Sequence, residues 1–229
     1  MYETGNTVNH NVVNEASTDD DDTPCLSQHT LSALAEFYAE RKTSKDENNV
    51  EEDWQVFVTF QLSQFWYSKE TAETLAAECI TAVEAGGNIA CVSCPTLMEG
   101  LVKSERIRSK KLLVKLLEYD LRFASVYPTQ FIFYDYKSPL ALPEGCCKMF
   151  DLIVIDPPFL SDECFIKMAQ TVRLLSKSSA TKIILCTGTI MRPMVERLFK
   201  AHQCSFSPSH RRNLANEFAC FANYQTSIL

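Results

Sequence analysis

The stretch that most constrains this chain is Asp151-Leu152-Ile153-Val154-Ile155-Asp156-Pro157-Pro158-Phe159. Leu152 to Ile155 is an unbroken run of branched, apolar side chains with no polar alternation. Such a run is the pattern of a strand buried on both faces, as in a parallel sheet. Proline has no backbone N–H and can continue neither a central ladder nor a helix interior, so the strand has to stop at Asp156. Open α/β sheets bind their ligands outside the carboxyl ends of the strands. The sequence therefore puts a carboxylate, a stiff turn and an aromatic ring at such an edge.

Those groups suit transfer to an amine. Asp156 and the Pro157 carbonyl can accept both hydrogens of an NH2 group, which leaves its lone pair aimed at an electrophile, catalysis by orientation. Phe159 offers a ring face to a planar base or to a cation. The plainer explanation is a strand ending in a proline turn, with an aspartate that caps the next helix. Position directly after a buried strand favours the site.

The rest of the chain supplies the sheet. Residues 1–24 are rich in Asn, Thr and Asp and are expected to be a disordered acidic tail. Residues 25–60 read as an N-terminal helix, Leu26 to Arg41, followed by a polar linker, Lys42 to Asp53. Val56 to Phe60 is an apolar run compatible with a short strand or an insertion. Residues 61–229 then carry the folded domain. Gln64-Phe65-Trp66-Tyr67-Ser68 sets three aromatics side by side, more than one core wedge can use. A helix is expected from Lys69 to Ala85, capped by Ser68 and stopped by Gly86-Gly87. Asn88 to Pro95 is the first strand, Met98 to Ser109 a helix, Leu112 to Asp120 the second strand and Phe131 to Tyr136 the third. After the Pro-Pro turn come a helix over Ser161 to Ser176, a strand over Thr181 to Gly188 and a helix over Met191 to Ala201. Short strands at Cys204 to Pro208 and Glu217 to Tyr224 form an antiparallel hairpin, whose loop leaves His210 at the surface. The successive strand tips carry Glu118 and Asp120, then Asp135, then Asp156. Acids at that edge can accept hydrogen bonds from ribose hydroxyls. The Gly-rich dinucleotide fingerprint is absent.

Composition removes other classes. The chain has one core's worth of residues, and no apolar run is long enough to cross a bilayer. Most of the ten cysteines lie inside apolar runs and read as small hydrophobes of a reducing, intracellular compartment. Cys91-Val-Ser-Cys94 has no second pair and no neighbouring His, which argues against zinc. The net charge of −7 divides into −6 over residues 1–22, −4 over 23–60 and +3 over 61–229. A nearly neutral body lacks the basic stripe of a nucleic-acid binder.

Strand–helix alternation, acids at the second and third strand tips and Asp-Pro-Pro-Phe after the fourth strand resemble class I methyltransferases that use S-adenosylmethionine. The Asp-Pro-Pro-aromatic form is similar to amino-methyltransferases first known for N6-adenine. More closely, LAEFYAE (34–40), LSQFWYSKET (62–71), IACV (89–92), FIFYDY (131–136), IDPPFL (155–160), LCTG (185–188) and RNLANEF (212–218) resemble the family of eukaryotic lysine methyltransferases that act on translation elongation factor 1-alpha. Val56 to Gln61 intervenes where that family runs Trp-Gln directly into Leu-Ser-Gln-Phe-Trp-Tyr, and Phe159 stands where the motif often ends in tyrosine.

The resemblance implies a Rossmann-like, mostly parallel seven-stranded sheet with a C-terminal antiparallel hairpin and helices on both faces. It implies that Phe65, Trp66 and Tyr67 line the S-adenosylmethionine pocket, with Ser93 at the first strand tip. Glu118 and Asp120 become candidates for the ribose, and Asp135 for the adenine amino group. Asp156, Pro157 and Phe159 would hold the target amine, with Asp156 or solvent taking the proton of a lysine. The expected enzyme is a cytoplasmic, monomeric protein-lysine N-methyltransferase whose protein substrate is translation elongation factor 1-alpha. Two other readings compete, an N6-adenine methyltransferase acting on DNA or RNA and a non-catalytic binding fold. The neutral body argues against the first, and the intact strand-tip acids against the second.

Overall fold

A computed structural model describes residues 67–109, 111–210 and 217–229. All of them belong to one compact unit, Trp54–Leu229. The boundaries expected at 24/25 and 60/61, the helix over 26–41 and the aromatics Phe65 and Trp66 lie outside the described residues.

The elements follow one another as α1 (Lys69–Ala82), β1 (Asn88–Val92), α2 (Met98–Lys103), α3 (Glu105–Arg108), β2 (Leu113–Glu118), α4 (Arg122–Val126) and β3 (Phe131–Phe133). They continue with β4 (Leu152–Ile155), α5 (Asp162–Leu175), β5 (Lys182–Gly188), α6 (Arg192–Phe199), β6 (His202–Gln203) and β7 (Phe218–Ala222). The sheet has seven strands in the order β3-β2-β1-β4-β5-β7-β6. β1 to β5 are parallel, and β7 runs antiparallel between β5 and β6. This is the doubly wound sheet with an antiparallel hairpin that the sequence pattern predicts.

Alternation along each strand divides the core in two. Ile89, Cys91, Val114, Leu116, Leu152, Val154 and Ile184 face Leu75, Cys79 and Leu101 of α1 and α2. Ala90, Val92, Leu117, Ile153, Ile155 and Leu185 face Phe165, Met168 and Val172 of α5 and Val195 and Phe199 of α6. Helices thus cover both faces, and every residue of β4 is buried. Each such aliphatic side chain contributes about 1.5–3 kcal/mol by leaving water.

Several boundaries differ from the sequence pattern for local reasons. Ser68 caps α1 as expected, accepting from the Thr71 N–H. The helix ends at Ala82, three residues before Ala85, with Val83 extended. The carbonyls of its last turn are taken by side chains from elsewhere: Arg106 donates to Ile80 and, at 2.6 Å, to Val83, while Lys182 donates to Ala82 at 2.8 Å. Gly86 then turns the chain at φ +86°, a conformation other residues resist. The helix expected over Met98–Ser109 is broken at Ser104, whose extended backbone (φ −64°, ψ 137°) ends α2 and opens α3. The edge strand of the hairpin lies at His202–Gln203 rather than at Cys204–Pro208. α4 spans only five residues, too few to show a period in sequence.

Glu78 is a buried acid on α1. It accepts from the Tyr224 hydroxyl at 2.9 Å, the Ser227 N–H at 3.1 Å and the Ile228 N–H at 2.9 Å, which ties the segment after β7 to α1. Among the described residues, no helix is long and apolar enough to cross a membrane.

Candidate active site

The carboxyl ends of β1, β2, β3 and β4 meet at one edge. Ser93 leaves β1 in the left-handed region at φ 57°, and its N–H donates to Leu117 O on β2 at 2.9 Å. The Asp156 N–H donates to Val92 O at 3.1 Å, so the β4 tip stays anchored to β1 one residue past the strand. Pro157 is buried beneath the turn, while Pro158 and Phe159 face solvent. Ser161 then caps α5 by accepting from the Cys164 N–H. Between a strand and a capped helix, the loop that carries the motif has little freedom.

The second strand tip separates its two acids. Glu118 is buried; its Oε1 accepts from the Tyr119 N–H at 2.8 Å and the Asp120 N–H at 3.2 Å. Its Oε2 is buried with no hydrogen-bond partner. Burial pushes the carboxyl up to about 7, against those two backbone bonds and with help from the Asp120 charge. Asp120 is committed instead: it accepts the Arg122 N–H at 3.0 Å and pairs with the Arg122 guanidinium, Nη2 to Oδ2 at 2.9 Å. An unsatisfied carboxylate oxygen at a ligand edge needs a donor, and a ribose diol supplies one. S-adenosylmethionine fits this position.

Asp135 sits just beyond β3, where its Oδ1 accepts from the Lys137 N–H at 2.8 Å and closes a turn. The adjacent Tyr134 points into the core, its hydroxyl 2.8 Å from Thr171 on α5. Tyr136 places its ring centroid 5.5 Å from Phe159, which remains 56 % exposed. The two rings thus join the loops that follow β3 and β4.

Asp156 is half-buried, and its desolvation pushes the carboxyl up to about 7; a hydrogen bond with Tyr67 opposes this, and Glu118 adds to it. Tyr67 is itself buried, and burial with the Asp156 charge raises its hydroxyl well above the usual range. The structure therefore brings Tyr67, Glu118 and Asp156 together, with Ser93 and Asp135 on the flanking strand tips.

His210, expected at the surface from its polar neighbours in sequence, is drawn inward. His210 is half-buried, bridged to Tyr67 as an isolated antiparallel pair, with ring centroids 5.0 Å apart, and it meets Phe218 edge-on at 4.7 Å. Ser209 accepts the Ser68 N–H at 2.9 Å and donates its own N–H to Thr71 at 2.9 Å. These contacts seat the segment before β7 against the start of α1. A second residue had no sequence signal: Thr187, near the carboxyl end of β5, has a buried hydroxyl without a partner.

A mostly parallel sheet of this order, with acids on the tips of β2, β3 and β4, defines a class I, S-adenosylmethionine-dependent methyltransferase. A family model described as "Probable N6-adenine methyltransferase" matches residues 58–226. The EEF1A lysine methyltransferase 1 of Mus musculus is 48 % identical over 222 residues, covering 93 % of this chain and 98 % of that protein. The Homo sapiens protein of the same name is 46 % identical over 219 residues, covering 92 % and 96 %. The chain belongs to this family of EEF1A lysine methyltransferase 1 proteins. Among solved structures, the branched-chain polyamine synthase of Thermus thermophilus shares the fold at a TM-score of 0.50 and 13 % identity, covering 83 % of this chain and 62 % of that one.

Proposed function

We propose that the chain transfers a methyl group from S-adenosylmethionine to the side-chain amine of a lysine in translation elongation factor 1-alpha, acting as a cytoplasmic monomer. The observation that carries this is likeness, over nearly the full length of both chains, to proteins named for that substrate. The described cysteines are free thiols, which suits a reducing compartment.

Bound S-adenosylmethionine supplies a methyl carbon activated by its sulfonium. In this reading Glu118 holds the ribose through its open oxygen. Asp120 keeps Arg122 and the turn in place behind it. Asp135 would hold the adenine amino group, Ser93 would bring the β1 tip to the cofactor, and Phe65, Trp66 and Tyr67 are the residues assigned to its methionine end. The Asp156 carboxylate and the Pro157 carbonyl accept the hydrogens of the target amine, and Phe159 lies along its alkyl stem. Only a neutral amine has a lone pair to donate. A carboxyl raised to about 7 can hold the proton that the entering ammonium gives up as that ammonium loses its water.

The test offers elongation factor 1-alpha and adenine-containing DNA and RNA side by side with labelled S-adenosylmethionine. Label on a lysine of the factor is expected. Label on nucleic acid and none on the factor overturns the proposal in favour of adenine methylation. Sedimentation of the purified chain at a mass other than 25.9 kDa overturns the monomer.

A further inference from the structure

We propose that Cys204 and Cys220 are a peroxide-reactive dithiol that closes to a disulfide between the two antiparallel strands. The inference stands apart from the methyl-transfer reading.

Three cysteines form a row across adjacent strands. Cys186 of β5 pairs in register with Cys220 of β7. On the other side of β7, His202 pairs with Ala222 and Gln203 with Phe221, and the next step brings Cys204 opposite Cys220. The Cys204 N–H donates to Cys220 O at 2.8 Å, so the ladder extends to this pair. Residues directly opposite in an antiparallel ladder have Cα atoms roughly 4.5–5.5 Å apart. A disulfide spans roughly 4.4–6.8 Å. Cys220 lies in the core layer under α1, and Cys204 packs against that same layer. As a hydrogen-bonded pair these two lie near the wide end of the ladder range, about 5.5 Å between Cα atoms, so the bond needs side-chain rotation and an approach of about 1 Å by the Cys204 end of the edge strand.

The two thiols differ in the way a reactive pair requires. Cys220 and Cys186 are buried, whereas Cys204 is half-buried and is the one that solvent reaches. A hydrogen bond from Cys220 is the largest effect on the Cys204 thiol and favours its thiolate over the opposing effects of burial and Glu78, so the thiol lies below the usual range. The Cys220 thiol is raised. Exposure and the lowered thiol make Cys204 the attacking thiolate; Cys220, opposite it in the ladder, resolves by giving its proton to the departing hydroxide as its sulfur attacks.

The oxidant is a hydroperoxide. The Cys204 thiolate attacks one peroxide oxygen; an S–O bond forms, the O–O bond breaks, and hydroxide leaves, to be protonated to water. The sulfur is oxidised by two electrons, and the peroxide is reduced. Cys220 sulfur then attacks the sulfenic sulfur; the S–S bond forms, the S–O bond breaks, and the hydroxide leaves as water with the Cys220 proton. Two thiols and one hydrogen peroxide give one disulfide and two waters.

The test treats the full chain with hydrogen peroxide, blocks free thiols with N-ethylmaleimide under denaturing conditions and maps the peptides. Expected are an intact mass lower by two hydrogens before blocking and a peptide pair joining Cys204 to Cys220 that dithiothreitol releases. The pair persists in Cys147→Ser, which removes another half-exposed thiol. In Cys220→Ser, Cys204 halts as a sulfenic acid that dimedone traps. The proposal is overturned if peroxide leaves Cys204 free, carries it to sulfinic acid while Cys220 stays free, or joins a different pair. The wild-type map decides this alone if a variant does not fold.

Discussion

Glu118→Gln is expected to stabilise the cofactor-free protein while weakening its hold on S-adenosylmethionine. The wild-type carboxyl is raised from 4.5 to about 7, chiefly by burial. Each pKa step is equivalent to about 1.36 kcal/mol, so ionised Glu118 costs the folded state about 3 kcal/mol relative to the unfolded chain. The sign follows from proton counts. Between pH 4.5 and about 7 the folded state keeps a proton that the unfolded state has lost, so stability falls as pH rises; above about 7 the penalty is constant, and below 4.5 it is absent. Glutamine keeps an acceptor for the Tyr119 and Asp120 N–H groups and carries no charge. Thermal unfolding without cofactor should show a Tm gain of about 6–12 °C at pH 8, at roughly 2–4 °C per kcal/mol for a domain of this size. At pH 5 the gain should shrink to about 2 °C, because both forms are then nearly neutral in the folded state. Calorimetry at pH 8 should show cofactor affinity lower by about 10- to 100-fold, the loss of a charge-assisted hydrogen bond. A variant that is destabilised equally at both pH values refutes the argument that Glu118 is a buried charge held ready for a ligand.

Asp156→Ala should leave cofactor affinity nearly intact and lower turnover by orders of magnitude, with Asp156→Asn almost as damaging if the carboxylate must carry a proton; single-turnover rates would show whether Asn retains substantial activity instead. Tyr67→Phe removes a bond that lowers the Asp156 pKa, so the acidic limb of the kcat/KM profile should move to higher pH, and an unmoved limb sinks the Tyr67–Asp156 coupling. Glu78→Ala leaves the Tyr224 hydroxyl and the Ser227 and Ile228 N–H groups without their acceptor. It should cost about 3 kcal/mol or more, read as a lower urea midpoint with unchanged slope.

What the sequence made legible follows from what local chemistry dictates. Leu152–Ile155 and its Pro-Pro stop are set by covalent and hydrogen-bonding rules that no tertiary contact overrides, and strand and turn fall where expected. The cap at Ser68 is equally local. The end of α1 was not legible, because Arg106 and Lys182 reach it from distant segments. Glu118 and Asp120 look alike in sequence; only folding shows that Arg122 occupies one and leaves an oxygen of the other open. His210 is surrounded by polar residues in sequence, yet a single bridge to Tyr67 brings its ring between two aromatics.

The strand order carries a consequence for biogenesis. β7 is the last described strand to be synthesised, yet it lies inside the sheet between β5 and β6. Until Phe218–Ala222 has been made, β5 presents an open edge along Ile184, Leu185 and Cys186, and β6 has no partner. Such an edge is a template for pairing with another chain. A nascent polypeptide stalled before Phe218, or a product of premature termination, exposes it indefinitely and becomes a client for chaperones and proteases. The sheet closes by inserting a late strand rather than by adding one at its rim, so the β5 edge is covered only once Phe218–Ala222 has been made.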